Sequence, residues 1–342
     1  MRIALISPVD GPVRQTGAGA VQGLVWLLSR ELTRLGHEVT VFGLAGSEPC
    51  GEFVATLTDA AYSFDDWQIA EWVNLCRALE QSDRFDVLHI HGYLWGLPLD
   101  RLARAPMVHT LHQWPHHDDK YLRSMMPDTC VTAISHCQWS KYPHLKPTAV
   151  VHNGVDVSQF TLRTDPDAYV CFLGQFSSSK GPLLAIEAAR ALGSRLLLAG
   201  PTNDFYTEHV EPLVDGRSVE YVGWVAGRER DQLLGGARAL LYPVQKPEPF
   251  GLVQVEAMMC GTPVVAIRLG AVPEIVDDGV TGFCVDSPEE LAPAAAQAFA
   301  LDRRRVRQRA ESRFSADRMA REYLQVYEKL VSTGRPRGRA RD

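Results

Sequence analysis

A pattern of strand, loop, helix and strand occurs twice in the chain, and it limits the fold more than any other feature. The first copy consists of two apolar runs and a helix-periodic segment, at residues 3–7, 37–42 and 21–35. The second copy consists of the same three parts, at residues 169–173, 195–199 and 182–192. Because strands joined through a helix pair in parallel, each copy begins a doubly wound parallel sheet. We therefore predict an α/β protein of two Rossmann-like domains.

Further short apolar runs extend both sheets, at residues 87–91, 107–110, 130–134, 148–152, 219–222, 239–242 and 263–267. The segment HNGVDVSQF, residues 152–160, joins the halves, which we predict as domains over residues 1–153 and 154–313. Ligands of open α/β sheets bind beyond the carboxyl ends of the strands. We therefore expect the loops at those ends to border a cleft between the two domains.

Composition and charge narrow the class of protein. The chain has 342 residues, a hydrophobic share of 46% and a net charge of −6, which argues against a general nucleic-acid binder. Seven cysteines without a CxxC pair favour reduced thiols over a disulfide framework or a zinc site. No run approaches the ~20 apolar residues of a membrane span, and the first residues do not read as a signal peptide. We expect a cytoplasmic location.

The stretch KPEPFGLVQVE places Glu248 and Glu256 eight residues apart around a Pro-Phe-Gly core. On one helix they would lie about 80° apart, but proline and glycine are unfavourable inside a helix. The helix is therefore predicted to start near Gly251 or Leu252, with Glu248 in the preceding loop and Glu256 about one turn in. This arrangement fits a ligand site or, equally, an ordinary helix start with an exposed glutamate.

In each half, one glycine-rich loop follows the first strand. Gly17 and Gly19 lie in TGAGA, where glycines allow backbone N–H groups to approach an anion or sugar, unless the loop is only a tight turn. Gln22 stands where a dinucleotide fingerprint requires a third glycine. In GQFSSSKG, Lys180 precedes a helix and is placed to meet a phosphate, the alternative being a solvated lysine.

Histidine and aromatic residues concentrate near the ends of two predicted strands of the first half. His112 and His116 have a metal-ligand spacing, but Pro115 intervenes, and we favour a polar contact by His112. His89 and His91 alternate along a strand and should face opposite ways, with His91 the better site candidate and a satisfied structural histidine the alternative. The aromatic candidates for stacking on a sugar or acceptor, core packing being the alternative, are Tyr93, Trp95 and Trp114.

Taken together, these segments resemble the retaining glycosyltransferases of family 4, which have the GT-B fold. The resemblance covers nearly the whole chain and is strongest over EPFGLVQVEAMMCGTPVVAIRLGAVPEIVDDGVTGFCV, residues 248–285, which is similar to the E-x7-E motif of the family. Residues 314–331 resemble its closing helix, which crosses back to the first domain, and residues 332–342 are predicted to be a disordered basic tail.

The resemblance implies a hexosyl- or pentosyltransferase that needs no cofactor and no metal. Its substrates would be a nucleotide-diphosphate sugar, of UDP or GDP type, and a small-molecule acceptor. His112, Glu248 and Lys180 would be catalytic, with Glu248 on the donor sugar, Lys180 on the leaving phosphate and Glu256 on the ribose hydroxyls. The remaining implied donor-binding residues are Gly17, Gly19, Gln175, Gly200, Val222, Trp224, Phe250, Gly251, Leu252 and Val253. The acceptor candidates are His91, Tyr93, Trp95 and Trp114.

One residue departs from the family pattern. Members usually carry arginine where this chain has Gln175, and that arginine pairs with the lysine on the diphosphate. Arg14, beside the TGAGA loop, is a candidate substitute. The family further implies front-face substitution with retention. An arginine bias and a first half that is short between residues 44 and 80 favour a tailoring enzyme, such as one from orthosomycin (avilamycin-type) antibiotic biosynthesis. The alternative function is a non-catalytic nucleotide-sugar-binding protein.

Overall fold

The computed structural model describes residues 1–16, 19–58, 67–115, 121, 124, 126–140 and 146–333. Gly17, His116 and residues 334–342 of the predicted tail lie outside this part of the chain. Its strands are β1 (Arg2–Ile6), β2 (Glu38–Leu44), β3 (Glu52–Leu57), β4 (Val87–Ile90), β5 (Met107–Leu111), β6 (Cys130–Ala133), β7 (Ala149–Val150), β8 (Tyr169–Leu173), β9 (Arg195–Ala199), β10 (Val219–Tyr221), β11 (Leu240–Tyr242), β12 (Val264–Ile267) and β13 (Gly282–Val285).

The α-helices of the same residues are α1 (Ala20–Arg34), α2 (Trp67–Leu79), α3 (Pro182–Leu192), α4 (Gly227–Gly236), α5 (Leu252–Met259), α6 (Val272–Ile275), α7 (Leu291–Ala298), α8 (Arg303–Phe314) and α9 (Ala316–Ser332). The chain forms two compact units. Unit 1 contains Met1–Gly154 and Ala316–Asp342, and unit 2 contains Val155–Ser315.

Unit 1 is built on a parallel sheet with the strand order β3-β2-β1-β4-β5-β6-β7. Its inner strands β1, β4 and β5 are short and almost wholly buried, as expected when helices cover both faces of a parallel sheet. The last helix, α9, packs against α1 and buries Tyr323 and Tyr327 within the unit. Because β4 and β5 are neighbours, the residues that follow them meet at one edge of the sheet.

Unit 2 has a second parallel sheet with the order β10-β9-β8-β11-β12-β13. The strand order reverses between β8 and β11, which is the switch point where ligands of such sheets bind. The loop after β8 contains Lys180, and the loop after β11 contains Glu248. The topology therefore brings together residues that are almost seventy positions apart in sequence.

The two-domain α/β prediction is confirmed, and its second half matches most closely. Strands β8 and β9 and helix α3 have the predicted limits, because a glycine directly follows each strand and a glycine flanks each end of the helix. The strand predicted at 148–152 is shorter, at Ala149–Val150, where it forms the edge of its sheet. Strand β3 and helix α2 occupy residues 44–80, where only a shortened segment was expected, and β13 was also missed.

The helices and the cysteines of the described residues bear on the class of protein. None of the helices in this part of the chain is long and apolar enough to cross a membrane. All seven cysteines belong to it, and all are free thiols there. Burial raises the pKa of Cys171 to about 12, so this thiol stays protonated and packs as a small apolar group.

Candidate active site

Helix α5 begins where the sequence predicted, directly after Gly251. Gly251 has a φ of +91°, in the left-handed region that glycine adopts without a steric penalty. A Cβ at this position would lie 2.7 Å from the Tyr242 hydroxyl oxygen and 2.5 Å from Gln254 Nε2. Among the described residues no side chain caps the helix, so the amides of Leu252 and Val253 are the natural partners of an anion. Phe250 is buried just before the turn, where its ring packs edge-on against Phe314 at 6.0 Å.

Glu248 is held in the loop before this helix by two side chains of unit 2. Lys180 forms an ion pair with its Oε1, and the Tyr242 hydroxyl donates to its Oε2. The backbone is fixed as well, because the Ala271 amide donates to the Glu248 carbonyl oxygen at 3.0 Å. Both partners of the ion pair remain partly exposed, so a ligand can reach them.

Glu256 has different surroundings one turn into the same helix. Its side chain is 12% exposed, and its Oε1 lies 2.9 Å from Nη1 of Arg230 on α4. Burial raises the pKa of Glu256, and the Arg230 charge opposes that effect. The two glutamates therefore occupy separate environments, as their predicted positions before and within the helix required.

The loops at the carboxyl ends of β8, β9 and β10 supply the other predicted donor-binding residues of unit 2. Gln175 is exposed directly after β8. Gly200, after β9, accepts a hydrogen bond from the Tyr221 hydroxyl at 2.9 Å. Val222 donates from its amide to the Leu198 carbonyl at 2.9 Å, and Trp224 is 63% exposed beside it. These residues share one edge of the sheet, which is the edge that also carries Lys180.

The first-domain candidates Gly19 and Arg14 lie in unit 1. Gly19 precedes α1 with extended backbone, and its Cα is packed so closely on Gln22 that a Cβ would lie 2.4 Å from the Gln22 Oε1. Gln22, the residue that breaks the dinucleotide fingerprint, is buried and donates to Asp10. Arg14 donates from Nε to the Gly46 carbonyl oxygen at 2.7 Å. Its proposed role on a diphosphate stays a prediction.

His91 and His112 meet beyond the ends of β4 and β5. His91 Nδ1 lies 3.0 Å from His112 Nε2, so one of the two rings donates the single proton that they share. The nitrogens that face away, His91 Nε2 and His112 Nδ1, are buried and have no hydrogen-bond partner among the described residues. Burial lowers the pKa of His112 to about 4 and the pKa of His91 well below its usual value, so both rings are neutral near pH 7.

The expected opposite orientation of His89 and His91 is wrong. Their ring centroids lie 3.9 Å apart. Strand β4 ends at Ile90, so His91 belongs to the loop and is free of the strand alternation that the prediction assumed. His89 is the structural member of the pair, bonded at 2.6 Å through Nδ1 to Tyr327 and through Nε2 to Thr110.

Two of the aromatic acceptor candidates, Tyr93 and Trp95, form a cluster with Trp67 of α2. The rings of Tyr93 and Trp95 stack at 4.6 Å, and Trp67 of α2 meets Tyr93 edge-on at 4.4 Å. Gln113 donates to the Tyr93 hydroxyl. Trp114 is half-buried and follows on the same loop as His112. All three side chains of the cluster are partly exposed, which leaves ring surface for a ligand.

The sequence did not predict three residues of these regions: Arg230, Tyr242 and Glu71. Glu71 is buried on α2 and accepts from the Val9 amide at 3.0 Å, and burial raises the pKa of its carboxyl to about 7. The apolar spacing of WQIAEWVNLCRAL could have revealed α2 and hence Glu71. Arg230 and Tyr242 carried no local signal, since their partners lie on other elements. Among the described residues, no group of three or more His, Cys, Asp or Glu side chains could hold a metal ion.

Comparison with known proteins accounts for both units. The family model described as Glycosyltransferase Family 4 matches residues 21–159, and the one described as Glycosyl transferases group 1 matches residues 156–313. A D-inositol 3-phosphate glycosyltransferase of Mycolicibacterium gilvum is 30% identical, over 88% of this chain and 82% of that protein. The chain belongs to the GT-B glycosyltransferases.

Two solved structures agree with this assignment. AviGT4, a glycosyltransferase involved in avilamycin A biosynthesis, superposes with a TM-score of 0.72 at 26% identity, over 98% of this chain and 99% of AviGT4. A sucrose-phosphate synthase from Thermosynechococcus elongatus superposes with a TM-score of 0.78 at 21% identity, over 98% and 100% of the two chains. At 21% identity, the similarity to the sucrose-phosphate synthase shows only that the two proteins share a fold. This glycosyltransferase therefore has two candidate functional regions. One is the switch point of unit 2, between β8 and β11. The other is the edge of the unit 1 sheet where His91 and His112 meet.

Proposed function

We propose that this glycosyltransferase moves a sugar from a nucleotide-diphosphate donor, of UDP or GDP type, to a hydroxyl of a small-molecule acceptor. The observation that carries the proposal is the separation of the two glutamates of unit 2. Glu248 is partly exposed and paired with a lysine and a tyrosine, whereas Glu256 is buried against an arginine. Two carboxylates in such different surroundings suit two different parts of one ligand.

The role of each residue follows from its chemistry. A carboxylate can accept from two adjacent hydroxyls, which suits Glu256 to the ribose and Glu248 to the donor sugar. The uncapped start of α5 favours the negative diphosphate, and the α5 amides lie between the two glutamates in sequence. Lys180 reaches the same point as a cation, so it can neutralise the charge that develops on the leaving phosphate.

We further propose retention of the anomeric configuration and a metal-independent reaction. A retaining hydrolase uses one of two carboxylates about 5 Å apart as a nucleophile. In this chain both glutamates are assigned to gripping the donor, so front-face substitution is the mechanism that fits. The leaving phosphate would then take the proton of the acceptor hydroxyl. Anomeric NMR of an early product tests this, and an inverted product would contradict it.

For the acceptor we propose a small polyhydroxylated molecule, with an antibiotic intermediate as one candidate. The stacked rings of Tyr93 and Trp95 offer apolar faces of the kind on which sugar rings pack. The neutral imidazoles of His91 and His112 and the amide of Gln113 supply hydrogen bonds without a fixed charge. A panel of acceptors should include D-inositol 3-phosphate, after the relative from Mycolicibacterium gilvum, and intermediates of avilamycin A biosynthesis, after AviGT4.

A thermal-shift screen of nucleotides, followed by hydrolysis and transfer assays of the best nucleotide sugar, tests the proposal. We expect a rise in melting temperature with UDP or GDP, together with slow hydrolysis of the matching sugar donor. Gln175 favours the alternative, a non-catalytic nucleotide-sugar-binding protein, because it removes the usual arginine. Nucleotide binding without hydrolysis or transfer would support that alternative and contradict the enzyme.

A further inference from the structure

Arg230 lies on α4, outside every segment that the sequence linked to the donor, yet it contacts Glu256, the residue assigned to the ribose. Its Nη1 lies 2.9 Å from Glu256 Oε1. Its guanidinium also lies over the Phe160 ring, 5.7 Å from the centroid. These two contacts fix the charged end of a side chain that remains 29% exposed.

The ion pair between Arg230 and Glu256 opposes the effect of burial on the Glu256 carboxylate. A carboxylate accepts hydrogen bonds at both oxygens only when it is ionised, but burial favours the protonated form. The neighbouring groups include Asp231 and Cys260, which add no positive charge, and burial raises the pKa of the Cys260 thiol, so it stays protonated. Arg307 is engaged with Glu311 at 2.6 Å. Among the described residues, Arg230 is the cation that forms an ion pair with Glu256.

We propose that Arg230 is a positioning residue of the nucleotide site, which keeps Glu256 ionised and leaves its second oxygen directed at the ribose diol. This inference rests on the proposed function of Glu256 and assigns a new residue to it. The Arg230 side chain is 29% exposed, so part of it stays accessible to a bound nucleotide. Arg230 thereby contributes positive charge to a donor site in which Gln175 replaces the usual arginine.

The contact between Arg230 and Glu256 determines how nucleotide affinity should depend on pH. Removing Arg230 removes the influence that opposes burial, so the pKa of Glu256 should rise. Nucleotide affinity should then fall as the pH drops through that higher value and recover at alkaline pH. An ion pair that only braced α4 against α5 would instead weaken nucleotide binding equally at every pH.

The test measures Kd for UDP and for GDP by calorimetry between pH 5.5 and 8.5, in the full chain. For Arg230→Met we expect about tenfold weaker binding at pH 6.5, or about 1.4 kcal/mol, and a much smaller loss at pH 8.5. Arg230→Lys, which keeps the charge, should recover most of the affinity. Arg228→Met is the matched control, because Arg228 is exposed on the same helix, and it should bind as the wild type does.

The outcomes separate this inference from the function on which it rests. If Arg230→Met has the wild-type Kd, or loses affinity by the same factor at every pH, the positioning role is overturned while nucleotide binding stands. If the wild type binds neither nucleotide, or Glu256→Gln binds as tightly as the wild type, the assignment of Glu256 fails, and the role of Arg230 fails with it. Melting temperatures of all variants identify any loss caused by unfolding.

Discussion

Glu248 and its two partners show how single side chains prepare this site. The carboxylate receives Lys180 on one oxygen and the Tyr242 hydroxyl on the other. A donor diphosphate would compete for Lys180, whereas Tyr242 is buried and stays in place. Tyr242 therefore acts on the orientation of Glu248, the residue assigned to the donor sugar.

Replacing Tyr242 by phenylalanine removes that hydroxyl and little else. We expect kcat for donor hydrolysis or transfer to fall about tenfold, since a net hydrogen bond to a charged group contributes about 1.5 kcal/mol or more. The Kd for the nucleotide should not change, because Glu248 is assigned to the sugar. Steady-state kinetics and calorimetry measure the two quantities.

Tyr169→Phe is the matched control for this substitution. Its hydroxyl donates to the Leu233 carbonyl at 2.9 Å, at the beginning of β8 and away from the switch point. Tyr169→Phe should lower the free energy of unfolding modestly and leave kcat unchanged. Equal effects of the two variants on kcat would show that Tyr242 has no special role.

At the scale of residues, the sequence predicted the donor glutamates and Lys180 but not their partners. Pro249 and Gly251 break the helix locally, so the separation of Glu248 from Glu256 could be inferred from spacing alone. Arg230 and Tyr242 reach these carboxylates from α4 and β11, and only the packed sheet determines which distant side chains meet. The same limit produced the error over His91, since one residue more or less in β4 reverses the predicted direction of a side chain.

The start of α5 is the element on which the donor assignment depends. Gly251 allows the chain to turn into the helix with positive φ, and it leaves room for the Tyr242 hydroxyl. The loop after β12 closes on the same point. There Gly270, with φ of +59°, approaches the Glu248 backbone so closely that a Cβ would lie 2.4 Å from the Glu248 carbonyl oxygen.

Gly251→Ala should disturb this element in two ways. The left-handed backbone costs about 1–2 kcal/mol for a residue with a Cβ, and the methyl group would also displace Tyr242. We expect a lower free energy of unfolding, measured by urea titration, and a lower kcat. Gly216→Ala is the control, because Gly216 has φ of +70° and no atom of the described residues lies within 4 Å of its Cβ position. A kcat equally low in both variants would contradict the specific role of Gly251.

Elements were predictable where a single rule applied. Buried runs with glycine boundaries gave β8, β9 and α3, and a proline followed by a glycine placed the start of α5. Strand β3 was missed because each of its residues is exposed or half-buried and because its residues mix apolar and polar types. Helix α2, which follows β3 in the chain, was missed as well, so Trp67 and Glu71 were not recognised as residues of this region.

At the scale of the whole molecule, each unit carries its own candidate region at the carboxyl edge of its own sheet. In unit 1 the C-terminal helix α9 supplies Tyr323 and Tyr327 to a buried network with His89, Thr110 and Thr132. This network lies directly beneath His91, whose ring is 3.9 Å from His89. The stability of unit 1 and the state of its histidines are therefore linked.

Acid should destabilise unit 1 through these buried histidines. Burial lowers the pKa of His112 to about 4, below the usual value of 6.5. Its contribution to stability is therefore complete above pH 6.5 and is lost progressively as the pH falls from 6.5 to about 4, by at most about 1.4 kcal/mol per pH unit. Urea titrations at several pH values measure this loss.

The comparison with His112→Gln isolates the histidine from the carboxylates that also titrate in acid. Between pH 6.5 and about 4 the variant should lose less unfolding free energy than the wild type does. His209→Gln, at an exposed position of unit 2, should follow the wild-type curve. Identical pH dependence in the wild type and His112→Gln would contradict the buried, neutral state of His112.

The most direct test of the donor assignment compares Glu248→Gln with Glu256→Gln in the full chain. Calorimetry gives Kd for the preferred nucleotide, and hydrolysis or transfer of the matching nucleotide sugar gives kcat. Glu256→Gln should mainly weaken nucleotide binding, because the ribose loses its carboxylate. Glu248→Gln should bind the nucleotide as the wild type does and lose most of its turnover. If both variants lose only nucleotide affinity, or if Glu248→Gln retains wild-type kcat, the division of roles between the two glutamates is wrong.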